Sequence, residues 1–204
     1  MTKILRLSVM ALSVVLFSVA IAGCGSNERS AETRETETQP MAESEAAPQA
    51  ERAVGTGTDI GQIPPAFALA DLSGNEVSLS EFEGKVVVLD LWATWCPPCR
   101  QEIPFLASLY EELKDDGLEV VGIGLDRGGA KVLAPFVESN NVTYTILVGN
   151  DIVSRDYGVS SIPMTLIIGR DGRVASKEIG FAPSMADDFR ARVEELLAGR
   201  SPEA

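Results

Sequence analysis

The 204-residue sequence contains no histidine and only three cysteines, Cys24, Cys96 and Cys99. A structural zinc site needs four ligands, which are ordinarily histidine and cysteine side chains, and the chain has no second Cys-x-x-Cys pair to complete one. Covalent attachment of c-type haem requires a histidine directly after such a pair, and Arg100 stands there instead. The sequence therefore predicts no metal site and no bound cofactor.

Positive charge is also scarce, with 17 basic against 30 acidic side chains and a net charge of −13. Nucleic-acid-binding proteins need a basic surface to offset the phosphate charge, so nucleic acid is excluded as an expected partner. From Gly25 to Thr58 the chain has no aromatic residue and is rich in Glu, Thr, Ser, Ala and Pro. Such a composition cannot form a packed core, and residues 24–58 are predicted to be a disordered acidic tether.

The apolar run Leu7–Ala22 follows Lys3 and Arg6 and is typical of a secretory signal peptide. Its end, Ile21-Ala22-Gly23-Cys24, resembles the lipobox of bacterial lipoprotein signals. That resemblance implies a signal peptide over residues 1–23 and a lipid on Cys24, which would anchor the protein to the extracytoplasmic face of a bacterial membrane. Ordinary cleavage after Ala22 and a retained transmembrane anchor are the alternatives, although the run is short for a span.

Residues 59–200 have the composition of one globular domain, organised around Trp95-Cys96-Pro97-Pro98-Cys99. This motif follows the apolar strand predicted over Val86–Leu91 and precedes a helix predicted over Arg100–Lys114. A cysteine at an exposed helix start is stabilised as a thiolate by backbone N–H groups and the helix dipole. A purely structural disulfide across so short a loop would contribute only about 2 kcal/mol, so redox activity is favoured over a structural disulfide or inert thiols.

Hydrophobic patterning and turn residues predict a β-hairpin from Ala66 to Leu79 and then the order βαβαβαββα. Parallel crossovers followed by a terminal hairpin specify a mixed sheet with helices on both faces, an α/β fold. Gly122 and Gly124, in the second long strand, indicate the close approach of a neighbouring element.

Three segments together resemble one known family: 84–104 (GKVVVLDLWATWCPPCRQEIP), 157–163 (YGVSSIP) and 169–172 (GRDG). On these motifs, residues 61–198 resemble a thioredoxin-fold protein of the TlpA/ResA type within the redoxin, or AhpC/TSA-like, superfamily. Members of this type are membrane-tethered thiol–disulfide oxidoreductases. The resemblance implies a thioredoxin fold for the whole globular domain, with the hairpin as an addition at its N-terminus.

The resemblance also implies catalytic roles. Cys96 would be the nucleophile that forms a mixed disulfide with a protein substrate, and Cys99 the resolving cysteine that releases it. Asp90 matches the buried acid of thioredoxins, a plausible proton acceptor for Cys99, but the lysine that thioredoxins place near it has no counterpart around residues 122–126. Glu102 matches an acid that tunes cysteine reactivity in ResA-type members, the alternative being a solvated helix carboxylate.

The substrate surface is implied in the same way. Pro163 matches the cis-proline of the family, which faces the cysteines and offers backbone pairing to the substrate. Trp95, Pro97, Pro98 and Ile162 are expected to line the docking surface beside Cys96.

The predicted partners are protein disulfides or dithiols, a membrane electron donor and the membrane itself, and the domain is predicted to be a monomer. With no histidine near the cysteines, a reductase is favoured over a disulfide donor or isomerase. The resemblance implies a reductase of the cytochrome c maturation type. A thiol peroxidase and a non-catalytic binding module are further alternatives. The peroxiredoxin pattern Pro-x-x-x-Thr-x-x-Cys is missing from the sequence, and both cysteines of the motif are present.

Overall fold

The computed structural model describes residues 55–200. The predicted signal peptide, Cys24 and the tether up to residue 54 lie outside the described residues. None of the helices within residues 55–200 has the length and apolar character to cross a membrane. The strands are β1 (Ala68–Ala70), β2 (Glu76–Ser78), β3 (Val86–Trp92), β4 (Leu118–Gly124), β5 (Thr145–Val148), β6 (Met164–Ile168) and β7 (Val174–Ile179), and the helices are α1 (Pro97–Leu113), α2 (Ala130–Ser139), α3 (Asp151–Asp156) and α4 (Ala186–Leu197).

Five strands form the central sheet in the order β5-β4-β3-β6-β7. β3, β4 and β5 are mutually parallel, whereas β6 is antiparallel to β3 and β7 is antiparallel to β6. β1 and β2 pair as a separate antiparallel hairpin that precedes this sheet. The predicted mixed α/β thioredoxin fold with an added hairpin is confirmed.

The central strand β3 is buried along its entire length because both faces of the sheet are covered. Val86, Val88 and Trp92 face a core shared with α1, α2 and α4, while Leu89 and Leu91 face a second core shared with α3 and the hairpin. Asp90 alternates with Val88 and Trp92 and therefore points toward α1. A carboxyl group in this position lies directly below the helix that carries the two cysteines.

The two strand glycines have the close neighbours that the sequence predicts. A Cβ atom on Gly124 would lie 2.4 Å from Leu133 Cδ2 of α2, and one on Gly122 would lie 2.9 Å from Trp92 Nε1. Both distances are below van der Waals contact, so a side chain at either position would push its neighbour aside. Gly122 thereby brings the Trp92 indole close to the backbone of β4.

Candidate active site

The two cysteines of the motif lie at the first turn of α1 and are joined by a disulfide. Cys96 is the N-cap residue, and the backbone N–H of Cys99 donates to its sulfur over 3.2 Å. The helix begins at Pro97, three residues earlier than predicted, because proline is well tolerated where no backbone N–H is needed. The Cys96 sulfur thus lies at the positive end of the α1 helix dipole, which favours the thiolate once the disulfide is reduced.

The expectation that Cys96 lies exposed at the helix end is wrong. Cys96 is only 2% exposed and Cys99 is fully buried, whereas the preceding Trp95 is 68% exposed. Pro97 is exposed as well, and Pro98 is half-buried. Apolar neighbours shield the sulfur from solvent, so a substrate would meet an apolar rim before it reaches the disulfide.

The segment before β6 forms the opposite wall of this rim. The Ile162–Pro163 peptide bond is cis, and the carbonyl oxygen of Ile162 lies 3.6 Å from the Cys96 sulfur. Ile162 is half-buried and Pro163 is buried. Ile179, at the end of β7, pairs with Met164 and is half exposed; the sequence interpretation did not single it out.

Asp126, which the sequence interpretation also missed, holds the loop that leads into the cysteines. Its carboxylate accepts from the Thr94 backbone N–H over 2.9 Å and from the Thr94 hydroxyl over 2.7 Å. The Cys96 N–H in turn donates to the Ala93 carbonyl over 3.1 Å. These bonds fix the chain on both sides of Trp95 and so set the position of Cys96.

Two acids lie buried beneath the disulfide. Asp90 is fully buried on β3, and Glu102 of α1 is 2% exposed, so Glu102 is not a solvated helix carboxylate. The Thr165 hydroxyl donates to Glu102 Oε1 over 2.8 Å, and Thr165 is the direct partner of Asp90 across β6 and β3. The fold therefore brings both predicted acids to the same face of the sheet, below Cys99.

Burial controls the ionisation of this pair. Loss of hydration raises the pKa of Asp90 well above its usual range, and the Glu102 carboxylate raises it further. Burial likewise raises the pKa of Glu102 to about 7, although the hydrogen bond from Thr165 opposes the shift. A group that titrates near neutral pH beside a thiol can accept or return its proton, as reversible disulfide exchange requires.

A disulfide at a helix N-terminus, a facing cis-proline and a buried acid on a mixed sheet define a thioredoxin-fold thiol–disulfide oxidoreductase. Residues 60–177 match the model of the AhpC/TSA family, and the chain belongs to that family.

The chain is 31% identical to the thiol-disulfide oxidoreductase ResA of Bacillus thuringiensis subsp. konkukian over 71% of its own length and 80% of that protein. It is 34% identical to ResA of Bacillus subtilis strain 168, over 63% and 73% of the two chains. The thioredoxin domain of a thiol-disulfide oxidoreductase from Bacteroides vulgatus superposes with a TM-score of 0.61 at 28% identity, covering 68% of this chain and 98% of that one. The protein is accordingly a ResA-like thiol–disulfide oxidoreductase.

Proposed function

We propose that this enzyme is a membrane-tethered reductase that reduces disulfides of proteins in the cell envelope, as the reductases of cytochrome c maturation do. The observation that carries the proposal is the pair of buried acids beneath the Cys96–Cys99 disulfide. Negative charge near the cysteines opposes thiolate formation, favours the disulfide and so makes the dithiol a stronger reductant. A monomeric domain working alone between donor and substrate fits this role.

The proposed cycle uses the geometry of the site directly. The reduced Cys96 thiolate attacks one sulfur of the substrate disulfide, whose other sulfur leaves as a thiolate. The substrate lies over Trp95, Pro97, Pro98 and Ile162 and pairs with the backbone just before the cis Pro163. Cys99 then loses its proton to the Asp90–Glu102 pair and attacks the Cys96 sulfur, which breaks the mixed disulfide and releases the second substrate thiolate. A membrane electron donor returns two electrons, and protons from solvent and the acids restore the dithiol.

The reduction potential tests the direction of transfer. We expect a value near that of thioredoxin, about −270 mV, after equilibration with glutathione buffers. Because the acids gain charge as pH rises through the Glu102 pKa of about 7, Glu102→Gln and Asp90→Asn should raise the potential more at pH 8 than at pH 6. The expected rise at pH 8 is about 30 mV, a tenfold change in the equilibrium.

A wild-type potential near about −120 mV would contradict the reductase proposal and favour a disulfide donor or isomerase instead. Glu119→Gln, which removes the same charge where Glu119 pairs with Lys85, is the matched control and should leave the potential unchanged.

The proposed location rests on the sequence ahead of the described residues. Removal of residues 1–23 and acylation of Cys24 would place the domain outside the cytoplasm, on the periplasmic side in a cell with two membranes. The predicted tether of about 34 residues would give the domain a reach of roughly 30 Å, enough to meet a donor and a substrate on one membrane.

Metabolic labelling tests the anchor. Radioactive palmitate should label the wild-type protein and fail to label Cys24→Ala, since no other cysteine occupies a lipobox-like position. A Cys99→Ala protein, which keeps Cys24, should be labelled like the wild type. Absence of label from the wild-type protein would refute the anchor and leave the domain's exchange chemistry untouched.

A further inference from the structure

Within residues 55–200, the buried side-chain atoms that have no hydrogen-bond partner all belong to one cluster below the disulfide. They are both carboxyl oxygens of Asp90, Oε2 of Glu102, the indole Nε1 of Trp92 and the hydroxyl of Tyr144. Trp92 and Tyr144 carry donors, while Asp90 and Glu102 carry acceptors. Buried polar atoms are nearly always satisfied in folded proteins, and here donors and acceptors complement each other.

Strand register explains why these groups meet. Thr165, Asp90 and Gly122 are direct neighbours across β6, β3 and β4, and all three face α1. A Cβ atom on Gly122 would lie 2.9 Å from Trp92 Nε1 and 3.2 Å from Tyr144 Cε2. The two aromatic side chains therefore lie over Gly122, immediately beside Asp90. They occupy space that the side chain of any residue larger than glycine at position 122 would fill.

The other charged groups around this cluster are few. Glu178 of β7 adds negative charge near Glu102 and is itself paired with Arg192 of α4. β6 contributes the neutral Thr165 and β4 contributes only Gly122. None of the elements packed against Asp90 in the described part of the chain presents a lysine or arginine to it. The Thr165 hydroxyl, which faces Asp90, donates its single hydrogen to Glu102, so Tyr144 and Trp92 are the remaining donors.

Tyr144 is suited to donate. It is 4% exposed and lies just before β5. Its burial, together with the charges of Asp90 and Glu102, raises its pKa well above the usual value, so the phenol keeps its proton throughout the physiological range. A neutral hydroxyl can stabilise a carboxylate without adding a charge to the core.

We propose that Tyr144 is a positioning residue for catalysis: its hydroxyl donates a hydrogen bond, through one internal water, to the ionised member of the Asp90–Glu102 pair. Burial alone drives both carboxyls toward their neutral forms, which cannot accept a proton from Cys99. The Tyr144 hydroxyl keeps one carboxylate available at neutral pH. When that carboxylate takes the Cys99 proton, the Cys99 sulfur bonds to Cys96 and the substrate leaves as a thiolate.

Tyr144→Phe tests this role because it removes one oxygen and keeps the ring. The full chain is solubilised in detergent, held in the oxidised state and labelled with ¹³C in its Asp and Glu carboxyls. NMR then follows the carboxyl chemical shifts of Asp90 and Glu102 as a function of pH. Loss of a hydrogen bond to the charged carboxylate should raise the pKa of the Asp90–Glu102 pair by about one unit, because the pair then binds its proton about tenfold more tightly. Unchanged or lowered midpoints would overturn the proposal.

The matched control is Tyr110→Phe, which removes the hydroxyl of the neighbouring ring, 6.5 Å away from Tyr144 between centroids. The Tyr110 hydroxyl is not part of the buried cluster, so the midpoints should stay at their wild-type values. If Tyr144→Phe fails to fold, the wild-type hydroxyl proton of Tyr144 is followed instead. That resonance should exchange slowly and move with the carboxyl titration, and a proton that does not respond would overturn the proposal.

The kinetic consequence rests on the proposed function. The rate at which Cys99 resolves a mixed disulfide should fall about fivefold at pH 7 in Tyr144→Phe, because the ionised fraction of a group with a pKa of about 7 falls from about one half to about one eleventh when its pKa rises by one unit. The rate should recover at higher pH, where the carboxylate is ionised without the hydrogen bond from Tyr144. A loss of rate that is equal at all pH values would indicate a merely structural role and overturn the inference. The NMR titration needs no substrate, so the inference and the proposed function can fail separately.

Discussion

Replacing Cys96 by serine should reduce the exchange activity to the background rate, whereas replacing Cys99 should leave a protein that attacks substrate once and stays bound to it. The Cys96 sulfur lies at the N-terminus of α1 and faces the Ile162 carbonyl at the apolar rim. Cys99 lies one helical turn deeper and is fully buried, so it can reach only the Cys96 sulfur. The two positions therefore have different expected outcomes.

Non-reducing electrophoresis and mass spectrometry with a disulfide-containing protein substrate measure both outcomes. Cys99→Ser should accumulate a covalent complex linked through Cys96, and Cys96→Ser should form none. Cys24→Ser, assayed in detergent, is the control and should retain full activity. Equal activity of Cys96→Ser and wild type would mean that the disulfide is structural.

The second large effect concerns stability against pH in Glu102→Gln. The pKa of Glu102 is about 7 in the folded protein against 4.5 for an unperturbed group. The raised pKa means that the folded protein favours the protonated acid. The contribution of Glu102 to the free energy of unfolding is therefore fully present below about pH 4.5 and is lost as pH rises toward 7. The difference corresponds to about 3 kcal/mol in the free energy of unfolding.

Denaturant unfolding at pH values from 4.5 to 8 should therefore show that the free energy of unfolding of the wild type falls by about 3 kcal/mol more than that of Glu102→Gln over this interval. Glu119→Gln removes a half-buried carboxylate that pairs with Lys85 and should follow the wild-type curve. If the free energy of unfolding varied with pH in the same way for wild type and Glu102→Gln, the Glu102 carboxyl would titrate in the folded protein as it does in the unfolded chain.

The order of strands and helices could be predicted because it follows from local patterns. The apolar run before Cys96, the hairpin turn at residues 169–172 and the alternation of strands with helices are readable without tertiary information. The helix start was misplaced because Pro97 and Pro98 obscure the first turn, where proline is in fact tolerated.

The surroundings of the disulfide could not be predicted in the same way. The burial of Cys96 depends on the Ile162–Pro163 segment, which is 66 residues away from it in the chain. Tyr144 and Thr165 reach the acids only through strand register, and nothing in their local sequence distinguishes them from ordinary core residues. Glu102 likewise could not be assigned to the core until the position of α1 over β3 was known.

The most direct test of the central claim is to determine which cysteines change oxidation state. The full chain is equilibrated in a series of glutathione redox buffers, its free thiols are trapped, and the peptides are identified by mass spectrometry. Cys96 and Cys99 should convert together in one two-electron transition, with Cys24 taking no part in it. A pair that stays oxidised or reduced across the whole series, or a disulfide that includes Cys24, would contradict the account.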